Sequence, residues 1–91
     1  MHAVLVSVRI DADRWDQAEK ILHEQTVPRA SSFDGFVKGY WARAADHTRG
    51  RGTLVFESEA AAKAAGDQIV MPPGSPTTIE SIEVFEVVAE A

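Results

Sequence analysis

Two periodicities alternate along this chain, and their order limits the folds that it can adopt. Four segments with alternating β-branched or aromatic residues predict strands: 3–10, 36–43, 51–57 and 78–88. Residues 14–26 and 59–70 carry apolar residues at helical spacing. The resulting order, β-α-β-β-α-β, is that of the split-βαβ, ferredoxin-like arrangement. We therefore expect an α+β fold, with a four-stranded antiparallel sheet and both helices on one face.

Residues that disfavour helix or strand set the predicted ends of these elements. Pro28 discourages continuation of the first helix, so residues 28–35 are predicted to form a loop. Residues 44–50 read as a polar hairpin loop, and the proline-rich residues 71–76 as a rigid connector. Ser58 is placed to cap the second helix.

Composition excludes several classes of protein. The 91 residues carry a formal charge of −5 and suit one domain, residues 1–91. The acidic balance argues against nucleic-acid or anionic-membrane partners, and the absence of Cys excludes disulfides and thiolate metal sites. No apolar run approaches the ~20 residues of a membrane helix, and no basic region precedes the first apolar stretch as in a signal peptide. A cytoplasmic location is the expectation.

No cofactor or metal is expected. The sequence has no P-loop and no glycine-rich dinucleotide fingerprint. Its three histidines are scattered without metal-ligand spacing, and His2 is expected to be terminal and mobile. His47 follows Asp46 in the polar loop, where the pair either tunes a base or is merely solvated.

The sheet face without helices remains apolar and needs a cover. The residues expected on this face are Ala3, Leu5, Phe36, Tyr40, Val55, Phe85 and Val87. An exposed apolar patch of this kind marks an interaction surface. A second copy of the chain is the economical cover, because symmetric dimers are the commonest oligomers. We therefore expect a homodimer through sheet faces, with Leu5, Tyr40 or Phe85 in the contact.

Two short segments carry a family resemblance. Residues 34–37 (Asp-Gly-Phe-Val) open the predicted second strand. Residues 54–60 (Leu-Val-Phe-Glu-Ser-Glu-Ala) join the predicted third strand to the Ala-rich second helix. Both segments are similar to the corresponding parts of the antibiotic biosynthesis monooxygenase-like group of the dimeric α+β barrel superfamily. The resemblance implies that two sheets pair into a barrel and that each subunit keeps a pocket between its sheet and helices. It also implies an activity: some members oxidise aromatic polyketides or quinols with O₂ and no cofactor, and relatives degrade haem.

Three positions differ from the active members of that group. Phe56 stands where their third strand usually carries Trp, and Gly52 lies near the position of an Asn in the polyketide-oxidising type. The haem-degrading type has a His on the second helix, and none lies between Glu59 and Val70. Haem degradation is therefore disfavoured.

The candidate substrate-binding residues form an apolar wall with a few polar groups. Trp41, Leu54 and Phe56 are expected to make the wall, with Gly39 leaving room beside Trp41; a lone strand Trp is otherwise simply core. The second helix presents mainly Ala, so the layer over the sheet is thin, and either collapses or leaves a cavity beneath that helix.

Three polar residues complete the candidate set. Gln25 and Gln68 fall on the inward sides of their helices and can hydrogen-bond a quinone or phenol oxygen; alternatively, both bond loop backbone near helix ends. Arg43, at the start of the 44–50 loop, either attracts an anionic ligand or is solvated. No catalytic residue is identified.

These features predict a small monooxygenase-like dimer with a pocket, which oxidises a small aromatic or polyketide-like substrate without a cofactor. The alternative is a non-catalytic module on the same scaffold, which either binds a small molecule or is purely structural.

Overall fold

A four-stranded antiparallel sheet, with all of its helices on one face, forms the molecule. The computed structural model describes all 91 residues. Its strands are β1 (His2–Ile10), β2 (Phe36–Arg43), β3 (Arg49–Phe56) and β4 (Thr77–Glu86). They lie in the order β2-β3-β1-β4. The predicted ferredoxin-like α+β fold is confirmed, and each predicted strand boundary is within two residues of the observed one.

The first helical segment is longer than predicted. We call residues 12–31 the long helix: a 3₁₀ turn (Ala12–Arg14), α1 (Trp15–Ile21), a π-helical turn (Leu22–Thr26) and α2 (Val27–Ser31). The loop predicted from residue 28 was wrong, because Pro28 stands in the first turn of α2, where a missing N–H costs little. The π turn before it widens the helix, with the Val27 N–H donating to the Leu22 carbonyl.

The second helical segment is α3 (Glu59–Gln68), and it packs directly on the sheet. The Ser58 hydroxyl caps it, as predicted, by accepting the Ala61 N–H at 3.1 Å. Ala62 and Ala65 are buried against Val4 and Phe56 in the core, because methyl side chains let the helix approach closely. No helix of the structure is long and apolar enough to cross a membrane.

A β-bulge near the start of β2 reverses the expected orientation of Phe36. The β2–β3 register shifts between Phe36 and Lys38, which makes Val37 an extra residue. Phe36 therefore faces the helices and packs edge-on against Phe56, with ring centroids 5.9 Å apart, and its predicted place on the opposite face was wrong. Beyond the bulge, Tyr40 lies on the outer face.

The outer face, on which no helix packs, is apolar in part. Tyr40 is 66% exposed and Phe85 is 48% exposed. The residues after β4 run across one end of the sheet, because the Val87 N–H donates to the Met1 carbonyl and Glu90 pairs with Lys38 at 3.5 Å. The rest of the outer face, from these C-terminal residues to the loop between β2 and β3, is therefore exposed to solvent.

Candidate functional site

A cavity of about 790 Å³ lies between the long helix and the sheet. Its floor includes Val6, Trp41 and Leu54, and its roof includes Ile21 and Leu22. The proline-rich connector closes one side, since residues 69–77 line it throughout. This volume is in the range of sites that hold small organic molecules. The cavity does not lie beneath α3. The thin layer predicted there has collapsed onto the sheet, because Ala62 and Ala65 are buried in the core.

Trp41 covers two glycines on the cavity floor. A Cβ on Gly39 would stand 2.9 Å from Trp41 Cη2, and a Cβ on Gly52 would stand 3.3 Å from both Cδ1 and Nε1. The indole therefore extends across both glycines, with Gly52 directly opposite on β3. The room that Gly39 was predicted to leave is filled by the Trp41 ring itself.

Leu54 and Phe56 have different surroundings. Leu54 lines the cavity beside Trp41, whereas Phe56 is fully buried and does not line it. Phe56 instead packs in the core against Phe36 and Val4. Of the expected three-residue wall, the structure thus brings Trp41 and Leu54 to the cavity and leaves Phe56 behind them.

Gln25 and Gln68 both line the cavity, but their surroundings differ. Gln25 lies in the π turn of the long helix and is exposed. The Gln68 side chain donates through Nε2 to the Ala64 carbonyl at 3.2 Å, and the Gln68 backbone carbonyl accepts from Arg29 Nη2 at 3.0 Å. Gln68 therefore bonds helix backbone, while Gln25 is available to a ligand in the cavity.

Four side chains form a cluster at the cavity mouth, which we call the mouth cluster: Trp15, Glu19, Arg43 and His47. Arg43 Cζ lies 4.9 Å from the centroid of the Trp15 ring, and Arg43 Nη1 lies 3.4 Å from Glu19 Oε1. The His47 and Trp15 rings are stacked, with centroids 4.3 Å apart and planes inclined by 28°. A cation and two aromatic rings thus line the entrance.

The β2–β3 loop holds His47 in this cluster. His47 has a φ of 65°, in the left-handed region, and its N–H donates to the Ala44 carbonyl at 2.9 Å. Asp46 Oδ1 accepts the Thr48 hydroxyl at 2.7 Å and the Thr48 N–H at 3.0 Å. These two bonds hold the pKa of the Asp46 carboxyl below its ordinary value of 3.8. Asp46 therefore stabilises the turn, and no hydrogen bond joins it to the His47 ring.

Sequence reasoning missed Trp15 and His47 as site residues. Trp15 falls among the apolar residues of the predicted first helix, and helical spacing carries no sign of a partner in a loop more than 30 residues away. The position of His47 depends on a left-handed backbone at a residue other than Gly, which sequence patterns predict poorly. The nearest available signal was the Asp-x-Thr spacing of residues 46–48, which is typical of a side-chain-closed turn.

Of the other two histidines, His23 borders the cavity from the long helix, whereas His2 does not line it. His2 is held in β1 and only 20% exposed, with Nε2 3.5 Å from Glu59 Oε2, so its expected mobility was wrong. His23, on the long helix, is largely exposed and lies 4.0 Å from Glu19. The structure has no group of three or more His, Cys, Asp or Glu side chains placed to hold a metal ion.

Comparison with known proteins gives structural neighbours only. No family model matches the sequence, and no curated protein matches it. HapK from Hahella chejuensis is 12% identical, with a TM-score of 0.73 over 100% of this chain and 96% of HapK. The haem-degrader MhuD from Mycobacterium tuberculosis is 19% identical, with a TM-score of 0.72 over 100% of this chain and 99% of MhuD.

A third neighbour is SnoaB, a cofactor-independent oxygenase from Streptomyces nogalater. The structure of one of its mutants is 16% identical, with a TM-score of 0.64 over 98% of this chain and 95% of SnoaB. At these identities the likeness concerns the fold. The predicted resemblance is thus confirmed for the fold alone: this chain shares a ferredoxin-like fold with these neighbours over 98–100% of its length.

Proposed function

We propose that this protein binds a planar aromatic molecule in the cavity beneath the long helix and oxidises it with O₂ without a cofactor. The observation that carries the proposal is the cavity of about 790 Å³ with the Trp41 indole and Leu54 on its floor. An indole face and apolar walls favour a flat apolar ring. The fold shared with SnoaB, a cofactor-independent oxygenase, supports the choice of reaction.

The proposed chemistry relies on the substrate's own electron-rich ring. In an anthrone-type substrate, O₂ oxidises the ring CH₂ to a carbonyl; one oxygen atom stays in the quinone and the other leaves as water with the two hydrogens. The protein's part is to orient the ring on Trp41, to exclude water, and to stabilise negative charge on the deprotonated substrate. Gln25 and Arg43, which line the cavity, are the candidate groups for that oxygen, and no catalytic base is assigned.

The second candidate function is non-catalytic binding of a similar molecule. Gly52 offers no side chain to the cavity, and the Gln68 amide nitrogen donates to the Ala64 carbonyl. Few polar groups are then left to act on a substrate, which favours a binding or sensing role. Haem as substrate is disfavoured by α3, because Glu59–Gln68 contains no His.

The proposal includes a cytoplasmic homodimer of single-domain subunits. The exposed rings of Tyr40 and Phe85 lie on the sheet face opposite the cavity, together with half-buried Leu5. Covering this face with a second copy would bury apolar area that a chain of this size needs for stability. The purely structural alternative keeps the same dimer and assigns no ligand to the cavity.

Dithranol, a hydroxyanthrone that autoxidises slowly in air, provides the test. We expect the protein, with chelator present, to accelerate O₂ uptake and quinone formation above the rate in buffer, at one O₂ per substrate. Trp41→Ala should lose the acceleration, whereas Arg9→Gln, on the sheet face opposite the cavity, should keep it. Saturable binding of a non-oxidisable analogue without acceleration would favour the non-catalytic candidate. Absence of both would overturn the proposal.

A further inference from the structure

We infer that the cavity selects an anionic aromatic ligand, whose carboxylate or phenolate oxygen is bound by Arg43 at the cavity mouth. The inference rests on the proposed function in one respect: the cavity must accept an aromatic ring.

The charge around the cavity is opposite to that of the whole protein. The chain has 14 acidic and 9 basic side chains, yet Glu19 is the one acidic residue that lines the cavity. Arg29 and Arg43 line it from the helix-bearing side, while strand alternation turns the Arg51 side chain to the outer face opposite Ser7. A positive entrance on an acidic protein favours anions over neutral or cationic molecules of the same shape.

Arg43 is held in place but retains unused donors. Its guanidinium lies over Trp15 with a Cζ-to-centroid distance of 4.9 Å, which fixes the head group at the mouth. Its ionic partner Glu19 is 3.4 Å away, longer than the about 2.7–2.9 Å of a charge-assisted hydrogen bond. A guanidinium has five N–H donors in a planar fork that matches a carboxylate. A ligand carboxylate can therefore make bonds that Glu19 does not.

Trp41 and Arg43 are placed to hold the two ends of one aryl acid. Both side chains line the cavity from β2. They are two residues apart and so lie on the same face of the strand, with their Cα positions about 6.6 Å apart along it. A fused aromatic ring on the Trp41 indole can therefore direct its carboxylate along β2 towards Arg43. Arg29 is less suited, because it already donates to the Gln68 backbone carbonyl at 3.0 Å.

Glu19 competes with the ligand for Arg43. Both carboxylates would lie beside one guanidinium, and like charges at that distance repel. Removing the Glu19 charge should therefore increase affinity for an anion, an effect opposite to that of removing Arg43.

The test compares 2-naphthoate with 2-naphthamide, which has the same ring and no charge, by calorimetric titration at low ionic strength. We expect naphthoate to bind the wild-type protein at least tenfold more tightly. Arg43→Gln should remove this preference while leaving naphthamide affinity within about twofold, and Glu19→Gln should tighten naphthoate severalfold. Arg9→Gln removes an equal charge on the opposite face, beside Glu80, and should leave both affinities unchanged.

Other results of these titrations would overturn part or all of the inference. If wild-type protein binds both probes equally, or Arg43→Gln weakens both by the same factor, the anion preference is overturned while the proposed aromatic site stands. If Glu19→Gln weakens naphthoate, competition for Arg43 is overturned. If neither probe binds the wild-type protein, the inference and the proposed function both fail.

Discussion

The indole of Trp41 lies against the backbone of Gly52, the residue directly opposite it on β3. Cδ1 and Nε1 of Trp41 are each 3.3 Å from the position that a Cβ on Gly52 would take, and the far edge of the ring covers Gly39 in the same way. The absence of side chains at these two positions is what lets the indole form the cavity floor. The position of the indole on the floor thus depends on Gly39 and Gly52 as well as on Trp41 itself.

Gly39→Ala should destabilise the protein more than Gly52→Ala. A Cβ at residue 39 would stand 2.9 Å from Trp41 Cη2 and 3.4 Å from Phe36 Cζ, so the indole must move. We expect a loss of about 1–3 kcal/mol in the free energy of unfolding for Gly39→Ala, and a smaller loss for Gly52→Ala. Urea denaturation measures both. A larger loss for Gly52→Ala would contradict this description of the floor.

Gly66→Ala should stabilise the protein, and it is the matched control for Gly39→Ala because it adds the same methyl group at a position without a clash. Gly66 lies inside α3, and the nearest atom to an added Cβ is Ile82 Cγ2 at an ordinary 3.6 Å. Replacing a helical Gly by Ala without a clash typically adds up to about 1 kcal/mol. The same urea experiment should therefore show a higher midpoint. A lower midpoint would mean that the packing of α3 on β4 is tighter than described.

The turn that positions His47 should loosen in acid. The pKa of Asp46 is lowered by the hydrogen bonds from the Thr48 hydroxyl and backbone N–H, so the ionised form is favoured in the folded state. This contribution is fully present above the ordinary value of 3.8 and is lost as the pH falls through the lower folded-state pKa. The Thr48 amide resonance should follow that titration and should be displaced at all pH values in Asp46→Asn. A resonance that is unchanged by acid and by the substitution would refute the turn's dependence on the carboxylate.

The apolar outer face should make the protein a homodimer. We expect light scattering at micromolar concentration to give twice the monomer mass of 9.9 kDa. Tyr40→Glu should shift the protein towards monomer, because it places a charge in a contact that must be desolvated. Ala64→Glu, which adds the same charge on an exposed position of α3, should not. A wild-type mass near 9.9 kDa would contradict the dimer.

Sequence periodicity predicts the fold well because each strand and helix buries one face. Val4 and Val6 alternate onto the core as expected, and Ser58 caps α3. Features that break local periodicity were not predictable. The bulge at Val37 reverses Phe36, and the π turn lets the helix continue past Pro28.

The candidate site was predicted in part for a similar reason. Trp41, Leu54, Gln25, Gln68 and Arg43 all line one cavity, although the cavity itself was expected under the other helix. Packing across the whole layer decides which helix lies closest to the sheet. The small side chains of α3 allow its backbone to approach the sheet, whereas the larger side chains of the long helix hold that helix away from the sheet. The stacking of His47 on Trp15 depends on a tertiary contact and on a left-handed residue, neither of which alternation indicates.

The central claim is that the cavity beneath the long helix binds a planar aromatic molecule. A nuclear magnetic resonance titration of the two indole N–H signals tests it most directly. The chain has two Trp residues, one on the cavity floor and one at its mouth, and Trp15→Phe and Trp41→Phe assign their signals. We predict that 2-naphthoate shifts both indole signals saturably through ring currents, while the ring-proton signals of Tyr40, whose side chain lies on the outer face, stay unchanged. A Trp41 signal that does not move at saturating probe, or shifts confined to the outer face, would contradict the account.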